Sequence, residues 1–287
     1  MTMPPNNDIP VPARRRFLLN GARGVAGLAA AAALGTPMGT ALAASYPLSP
    51  VLTEGPFCLD KKLLRSDVRS DSTTGETTTG FPLGLRIRIF TLNAKGKTVP
   101  LAGAYVDIWH CNALGYYSGE TNNGAYDAST VDWLRGYQVT DSRGLVRFVS
   151  IYPGWYTGRT VHIHARIRLY DDAGNATYDQ ATQIFFDDDL TDIIAAKPPY
   201  THDTQVRTYN ATDSIYNGAS NHSEIDGVTS DAGDDLLATT TLLPKRCSAS
   251  IRLVIDTSEG VAGLNCPTSA DNSGGGGGGG TPPTPPS

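Results

Sequence analysis

Apolar and polar residues alternate over short stretches through the middle of the chain. Leu85, Ile87 and Ile89 are interleaved with Arg86 and Arg88, a period of two that predicts a half-buried strand. A second strand is predicted from Tyr105 to His110, after the turn region of Pro100 and Gly103. Val146 and Phe148 flank Arg147 in a third, just past the Asp141-Ser142-Arg143-Gly144 turn. Val161, Ile163, Ala165, Ile167 and Leu169 form one face of a fourth, and Thr182 to Phe186 and Ile251 to Ile255 supply two more. Only Asp189 to Ala196 predicts a clear helix, acidic at its start and stopped by Pro198-Pro199. The run Asp187-Asp188-Asp189 is explained by that helix start more simply than by a calcium site. Many short strands between turn signals predict an all-β fold: an antiparallel β-sandwich with long loops and one or two short helices.

The two ends fall outside this pattern. Arg14, Arg15 and Arg16 precede Phe17-Leu18, an alanine-rich apolar run to Leu34, and the A-x-A pattern Ala41-Leu42-Ala43. Residues 1–43 therefore predict a signal peptide of the twin-arginine type, with export to the periplasm or the extracellular space. The apolar run is too short and too rich in Ala and Gly to span a membrane, so no membrane association is expected once the signal is removed. Residues 267–287, ending SGGGGGGGTPPTPPS, have the composition of a disordered tail or linker. One domain is expected between, over residues 46–266.

Losing residues 1–43 removes four arginines and one aspartate, which takes the formal net charge from −5 to −8. That balance argues against a nucleic-acid partner. All four cysteines, Cys58, Cys111, Cys247 and Cys266, lie in the exported part, and an even count there permits two disulfides. Cys247 with Cys266 is the favoured pair, and Cys111, in an apolar strand, is read as a buried thiol.

The candidate chemistry centres on His162 and His164. Side chains two apart on a strand point the same way, so both histidines share a face opposite Val161, Ile163 and Ala165. Two imidazoles about 7 Å apart along a strand can converge on one metal ion. Arg166 and Arg168 follow on the same face and support a bland alternative, two histidines on a solvated surface. A facial triad needs a carboxylate, and a cupin-like site a glutamate soon after the second histidine; none lies nearby. Tyrosines do: Tyr152, Tyr156, Tyr116 and Tyr117. A phenol ordinarily ionises near pH 10, so only a highly charged cation would hold it as phenolate at neutral pH. Such donors favour Fe(III). Taken singly, each tyrosine reads as a packed ring with a bonded hydroxyl.

Longer stretches add a resemblance. Leu52 to Phe57, Val106 to Gly119 and Ile151 to His164 are similar to the intradiol ring-cleavage dioxygenases, in particular to their exported, protocatechuate 3,4-dioxygenase-like branch. The likeness runs on through Thr182 to Phe186 and Pro198-Pro199-Tyr200. It implies a β-sandwich holding one non-haem Fe(III) per chain through Tyr117, Tyr156, His162 and His164, with Tyr116 and His110 not ligands. It assigns Arg159 and Gln183 to the active site beside the metal, and Gly55 and Pro56, with Arg159, to the substrate cavity. The implied reaction cleaves a catechol-type aromatic with O₂ between its hydroxylated carbons, giving a cis,cis-muconate-type diacid, with Tyr156 displaced by substrate. Phe57-Cys58 departs from the aromatic hydroxyls many relatives carry, and Asn112 from an aspartate. Two other functions compete: an exported β-sandwich binding module without catalysis, and a cupin-like metalloenzyme. The particular catechol and the oligomeric state are not encoded legibly.

Overall fold

The structure, a computed structural model, describes residues 47–201, 205–218 and 232–268. The expected signal peptide and nearly all of the Gly/Pro tail lie outside the described residues. In chain order the elements are β1 (Pro82–Leu92), β2 (Thr98–Pro100), β3 (Tyr105–Trp109), β4 (Arg135–Val139), β5 (Leu145–Ile151), β6 (His162–Tyr170), β7 (Ala176–Phe185), α1 (Asp188–Ala195), β8 (Thr239–Leu243) and β9 (Arg246–Ile255). Every strand predicted from alternation is present. β2, β4 and β8 escape the pattern because they are short or carry a glycine or a run of threonines. The helix starts one residue earlier than expected, with Asp187 as its cap: the carboxylate accepts from the Leu190 amide at 3.0 Å. Among the described residues no helix is long and apolar enough to cross a membrane.

The strands form two sheets. One is ordered β2-β1-β9-β8, with β5 also pairing with β1; the other is ordered β4-β3-β6-β7. The second is antiparallel throughout. The first departs from the expectation, because β1 and β9 pair in parallel from Leu83↔Cys247 to Thr91↔Ile255. A parallel pair needs a long connection, and nearly the whole fold lies between these two strands. The core fills the space between the sheets. Leu83, Leu85, Ile87 and Ile89 of β1 and Ala249, Ile251 and Leu253 of β9 join Val106 and Ile108 of β3 and Ile163, Ala165 and Ile167 of β6 in one buried cluster.

The outer face of the second sheet is the one that matters for function. Its rows follow from the register: Trp109↔His164↔Gln183, Asp107↔Arg166↔Ala181 and Tyr105↔Arg168↔Asp179 across β3, β6 and β7. The bland alternative, a solvated face for His162, His164, Arg166 and Arg168, is not found. Both histidines and Arg168 are buried, and Arg166 is nearly so. The two arginines are neutralised by carboxylates: Arg166 grips Asp179 through two 2.7 Å bonds, and Arg168 meets Asp107 at 2.6 Å and Asp60 at 3.2 Å. Asp60 belongs to the segment that precedes β1 and covers this face.

A disulfide ties that segment down. It joins Cys58 to Cys266, not Cys247 to Cys266 as expected. Cys247 instead points into the core from β9, opposite Leu83, where no other thiol reaches it. Cys111 is a buried free thiol, as expected.

Candidate metal centre

Four side chains, from β6 and from two loops, meet at one end of the outer face. β6 supplies His162 and His164. Trp109, opposite His164 on β3, lies flat against its ring, with centroids 4.9 Å apart and planes 3° off parallel. Gly55 closes the other side: a Cβ there would sit 3.0 Å from His164 Cε1, and the backbone has φ +68°. Glycine alone takes that conformation without strain and lets the chain come this close.

Tyr117 arrives from the loop after β3. Asn112 Oδ1 accepts from the amides of Leu114 (2.9 Å) and Tyr116 (3.0 Å) and so turns the loop. Gly115 passes against the Trp155 carbonyl, where a Cβ would collide at 2.2 Å. Asn122 then brackets Tyr117, its Oδ1 accepting from the Tyr117 amide and its Nδ2 donating to the Tyr117 carbonyl, both at 2.9 Å. Phe57 stacks on the Tyr117 ring at 4.4 Å and meets the Tyr156 ring edge-on at 6.2 Å. Tyr156 comes from the loop between β5 and β6. Tyr117, His162 and His164 are buried, whereas Tyr156 and Arg159 are only half-buried beside exposed Thr157 and Gly158, which marks the open side of the site.

The donor atoms converge. His162 Nε2 lies 3.1 Å from His164 Nε2 and 3.4 Å from both the Tyr117 and the Tyr156 hydroxyls. At 3.4 Å these are long for O–H···N hydrogen bonds. They match the spacing of co-ligands: atoms about 2 Å from a shared ion stand roughly 3 Å from one another. The tautomer fits as well. His162 Nδ1 donates to the Thr160 carbonyl at 2.6 Å, which leaves a bare lone pair on Nε2, facing the other three donors. Burial, aided by the Arg159 charge, holds His162 well below the ordinary imidazole range. Burial and the neighbouring His162 do the same for His164, so both are neutral and ready to ligate. Burial raises Tyr117 far above the usual phenol value and Tyr156 to about 12, the latter opposed by the Arg159 charge. Two phenols this reluctant to ionise, facing the bare Nε2 of His162 and the Nε2 of His164, form a set that a strongly charged cation with a taste for oxygen and nitrogen donors can hold. Among the described residues no three His, Cys, Asp or Glu side chains come together as an alternative metal cluster.

The remaining expected residues fall around this point. Arg159 Nε donates to Asp213 at 2.9 Å, and its Nη2 donates to Gln183 Oε1. Gln183 in turn donates to the Thr53 carbonyl at 2.9 Å. Pro56 is exposed beside Gly55, at the rim. Tyr116 stacks on Tyr126 and Tyr152 bonds Thr191 at 2.6 Å, so neither joins the cluster. His110 is structural: Nδ1 donates to the Cys111 carbonyl and Nε2 accepts from the Ser150 hydroxyl, both at 2.8 Å.

Three contributors escaped the sequence reasoning. Asp213 is fully buried and accepts from Arg159, from the Thr160 amide at 2.7 Å, and from the Ile215 and Tyr216 amides. Arg135 is buried and donates to the carbonyls of Phe57 (2.8 Å) and Ser118 (2.6 Å), clamping the segment of Phe57, which stacks on Tyr117, to the one that carries Tyr117. Trp109 supplies the floor under His164. Only Trp109 had a usable signal, its place inside the strand predicted from Tyr105 to His110; the other two act from 54 and 78 residues away.

Comparison with known proteins agrees with the geometry. Residues 54–220, more than half of the chain, match the model of a protein family described as Dioxygenase (Dioxygenase_C). An intradiol ring-cleavage dioxygenase from Tetranychus urticae superposes with a TM-score of 0.60 at 27% identity, over 74% of this chain and 96% of that one. A second solved dioxygenase gives a TM-score of 0.57 at 29% identity, over 73% and 94%. A chlorocatechol 1,2-dioxygenase from Pseudomonas putida is 34% identical over 86 residues, which cover 24% of this chain and only 31% of that protein.

Proposed function

The chain belongs to the intradiol ring-cleavage dioxygenases, and from that premise we propose that it cleaves a catechol-type aromatic with O₂ between the two hydroxylated carbons, giving a cis,cis-muconate-type diacid. Tyr117, Tyr156, His162 and His164 hold one non-haem Fe(III). The observation that carries this reading is the meeting of two phenol oxygens and two imidazole nitrogens at 3.1 to 3.4 Å, with His162 Nε2 bare toward the others. Ferric iron, when bound, is a Lewis acid that favours the phenolate forms and draws electron density from a coordinated catecholate.

The chain's own residues do the rest. Tyr117, pinned by Phe57 and Asn122, is the fixed phenol. Tyr156 sits on the open side, where an arriving catechol hydroxyl can hand it a proton as substrate takes its place. Arg159, locked between Asp213 and Gln183, favours negative charge on Tyr156 or on the bound ring. Phe57 and Trp109 exclude water from Tyr117 and His164. Gly55 and Pro56 shape the rim against which the ring lies. Secretion by the twin-arginine route, with residues 267–287 as a spacer, belongs to the same proposal. The Cys58–Cys266 disulfide supports it, since such bonds persist in oxidising compartments.

Purified mature protein is expected to be reddish, to contain about one iron per chain, and to change colour with catechol. Oxygen uptake is to be screened over catechol, substituted catechols, protocatechuate, hydroxyquinol and lignin-derived aromatics, with product identification. A colourless preparation that stays inert after ferric reconstitution would sink the assignment and favour a non-catalytic binding module.

A further inference from the structure

On the opposite side of the sandwich, the outer face of the β1–β9 sheet carries four arginines in two directly opposed pairs. Arg86 of β1 faces Arg147 of β5, and Arg88 of β1 faces Arg252 of β9. Like charges directly opposite on neighbouring strands destabilise a sheet. Seven other arginines each form an ion pair with an aspartate. Arg86, Arg88 and Arg147 form none among the described residues, although the chain as a whole is acidic. Arg86, Arg88 and Arg252 line a cleft of about 550 Å³ together with Thr239, Ser250 and Asp235. That volume falls in the range of small-ligand sites. Against the one carboxylate of Asp235, Arg86 and Arg88, which form no ion pair among the described residues, leave the cleft positive.

We propose that this cleft binds an acidic polysaccharide, a chain of sugar carboxylates, independently of the metal centre on the other sheet. The arginine fork matches a carboxylate with two parallel hydrogen bonds. The exposed hydroxyls of Thr239 and Ser250 suit sugar hydroxyls. A chain fits better than a single small acid because the positive sites repeat. They step about 7 Å along β1 and about 5 Å from strand to strand, and they continue past the cleft to Arg147.

The test is titration of the purified full chain with fluorescent polygalacturonate at low salt, with neutral dextran and monomeric galacturonate as comparators. Wild type is expected to bind polygalacturonate but not dextran, to lose affinity steeply with added salt, and to resist competition by the monomer at equal carboxylate concentration. The double variant Arg86→Ser/Arg88→Ser is expected to bind at least tenfold more weakly. Because it removes opposed like charges, it should melt no lower than wild type and keep its iron and its ring-cleavage rate. If the double variant fails to fold, Arg252→Gln alone is expected to weaken binding at least threefold. The proposal falls if wild type ignores polygalacturonate, binds dextran equally, or is saturated by the monomer. It falls equally if the variants bind as wild type does, or if they change only self-association of the chain.

Discussion

Tyr117 and Tyr156 offer the same phenol oxygen from different surroundings, and the surroundings assign different work. Tyr117 is 1% exposed, roofed by Phe57 and tied at both backbone atoms by Asn122, so it cannot leave without unpacking the site. Tyr156 stands on a loop at the open edge. Tyr117→Phe should therefore abolish iron retention, measured as iron per chain. Tyr156→Phe should keep some iron but slow substrate binding about a hundredfold, a typical contribution of a positioned proton acceptor; normal stopped-flow binding rates would refute its displacement. Asp213 is the less visible member. It holds both the Arg159 guanidinium and the amide of Thr160, whose carbonyl aims His162. Asp213→Asn removes its charge at nearly constant shape. The expected result is a loss of about 3 kcal/mol in stability, at the low end for a broken buried pair because Arg159 keeps some solvent. The iron-linked visible band should shift, and turnover should fall about a hundredfold with iron still bound. An unchanged band and turnover in a folded variant would confine Asp213 to packing.

At the scale of elements, alternation in the sequence revealed most strands because a sandwich buries one face of each and the side-chain period is two. It put His162, His164, Arg166 and Arg168 on one face correctly. What it could not show was the lid over that face. The lid is residues 54–64 and the chain near Cys266, joined across 208 residues by the disulfide, by Asp60 N to the Pro267 carbonyl at 2.9 Å, and by Asn265 N to Glu54 Oε1 at 3.1 Å. No local pattern encodes a contact so remote, and with four cysteines three pairings were open. The polar residues on β6 therefore left a solvated face open as an alternative, whereas they are paired and buried. Because the lid carries Gly55 and Phe57, the disulfide supports the cluster of Tyr117, Tyr156, His162 and His164 as well as the fold. Cys58→Ser/Cys266→Ser should lower unfolding free energy by about 5 kcal/mol, as expected for a very long loop. It should also speed iron loss to a chelator several-fold. A destabilised variant that releases iron at the wild-type rate would show that the lid is irrelevant to the site.

For the whole molecule, the joint between the two sheets is itself pH-sensitive. His110 follows β3 in one sheet and accepts a hydrogen bond from Ser150 of β5 in the other. Its own Nδ1–H is committed to the Cys111 carbonyl, so a proton can be added only at the nitrogen that Ser150 uses. Burial is the main reason its pKa falls to about 4 from 6.5. A folded-state value below the unfolded one means the unfolded chain takes up the proton first as pH drops. The stabilisation is thus fully present above about pH 6.5 and is lost progressively as pH falls toward 4. A tenfold difference in proton affinity between the folded and unfolded chains corresponds to about 1.4 kcal/mol, so this one residue accounts for about 3 kcal/mol of acid sensitivity. Urea unfolding of wild type and His110→Gln at pH 7.5, 5.5 and 4 isolates it, because changes at the metal centre are common to both chains. The variant should start less stable, having lost the fitted bond between the sheets, and should then lose about 3 kcal/mol less than wild type over that range. Parallel losses in the two proteins would mean that acid enters elsewhere and that the joint holds its shape with a charged ring.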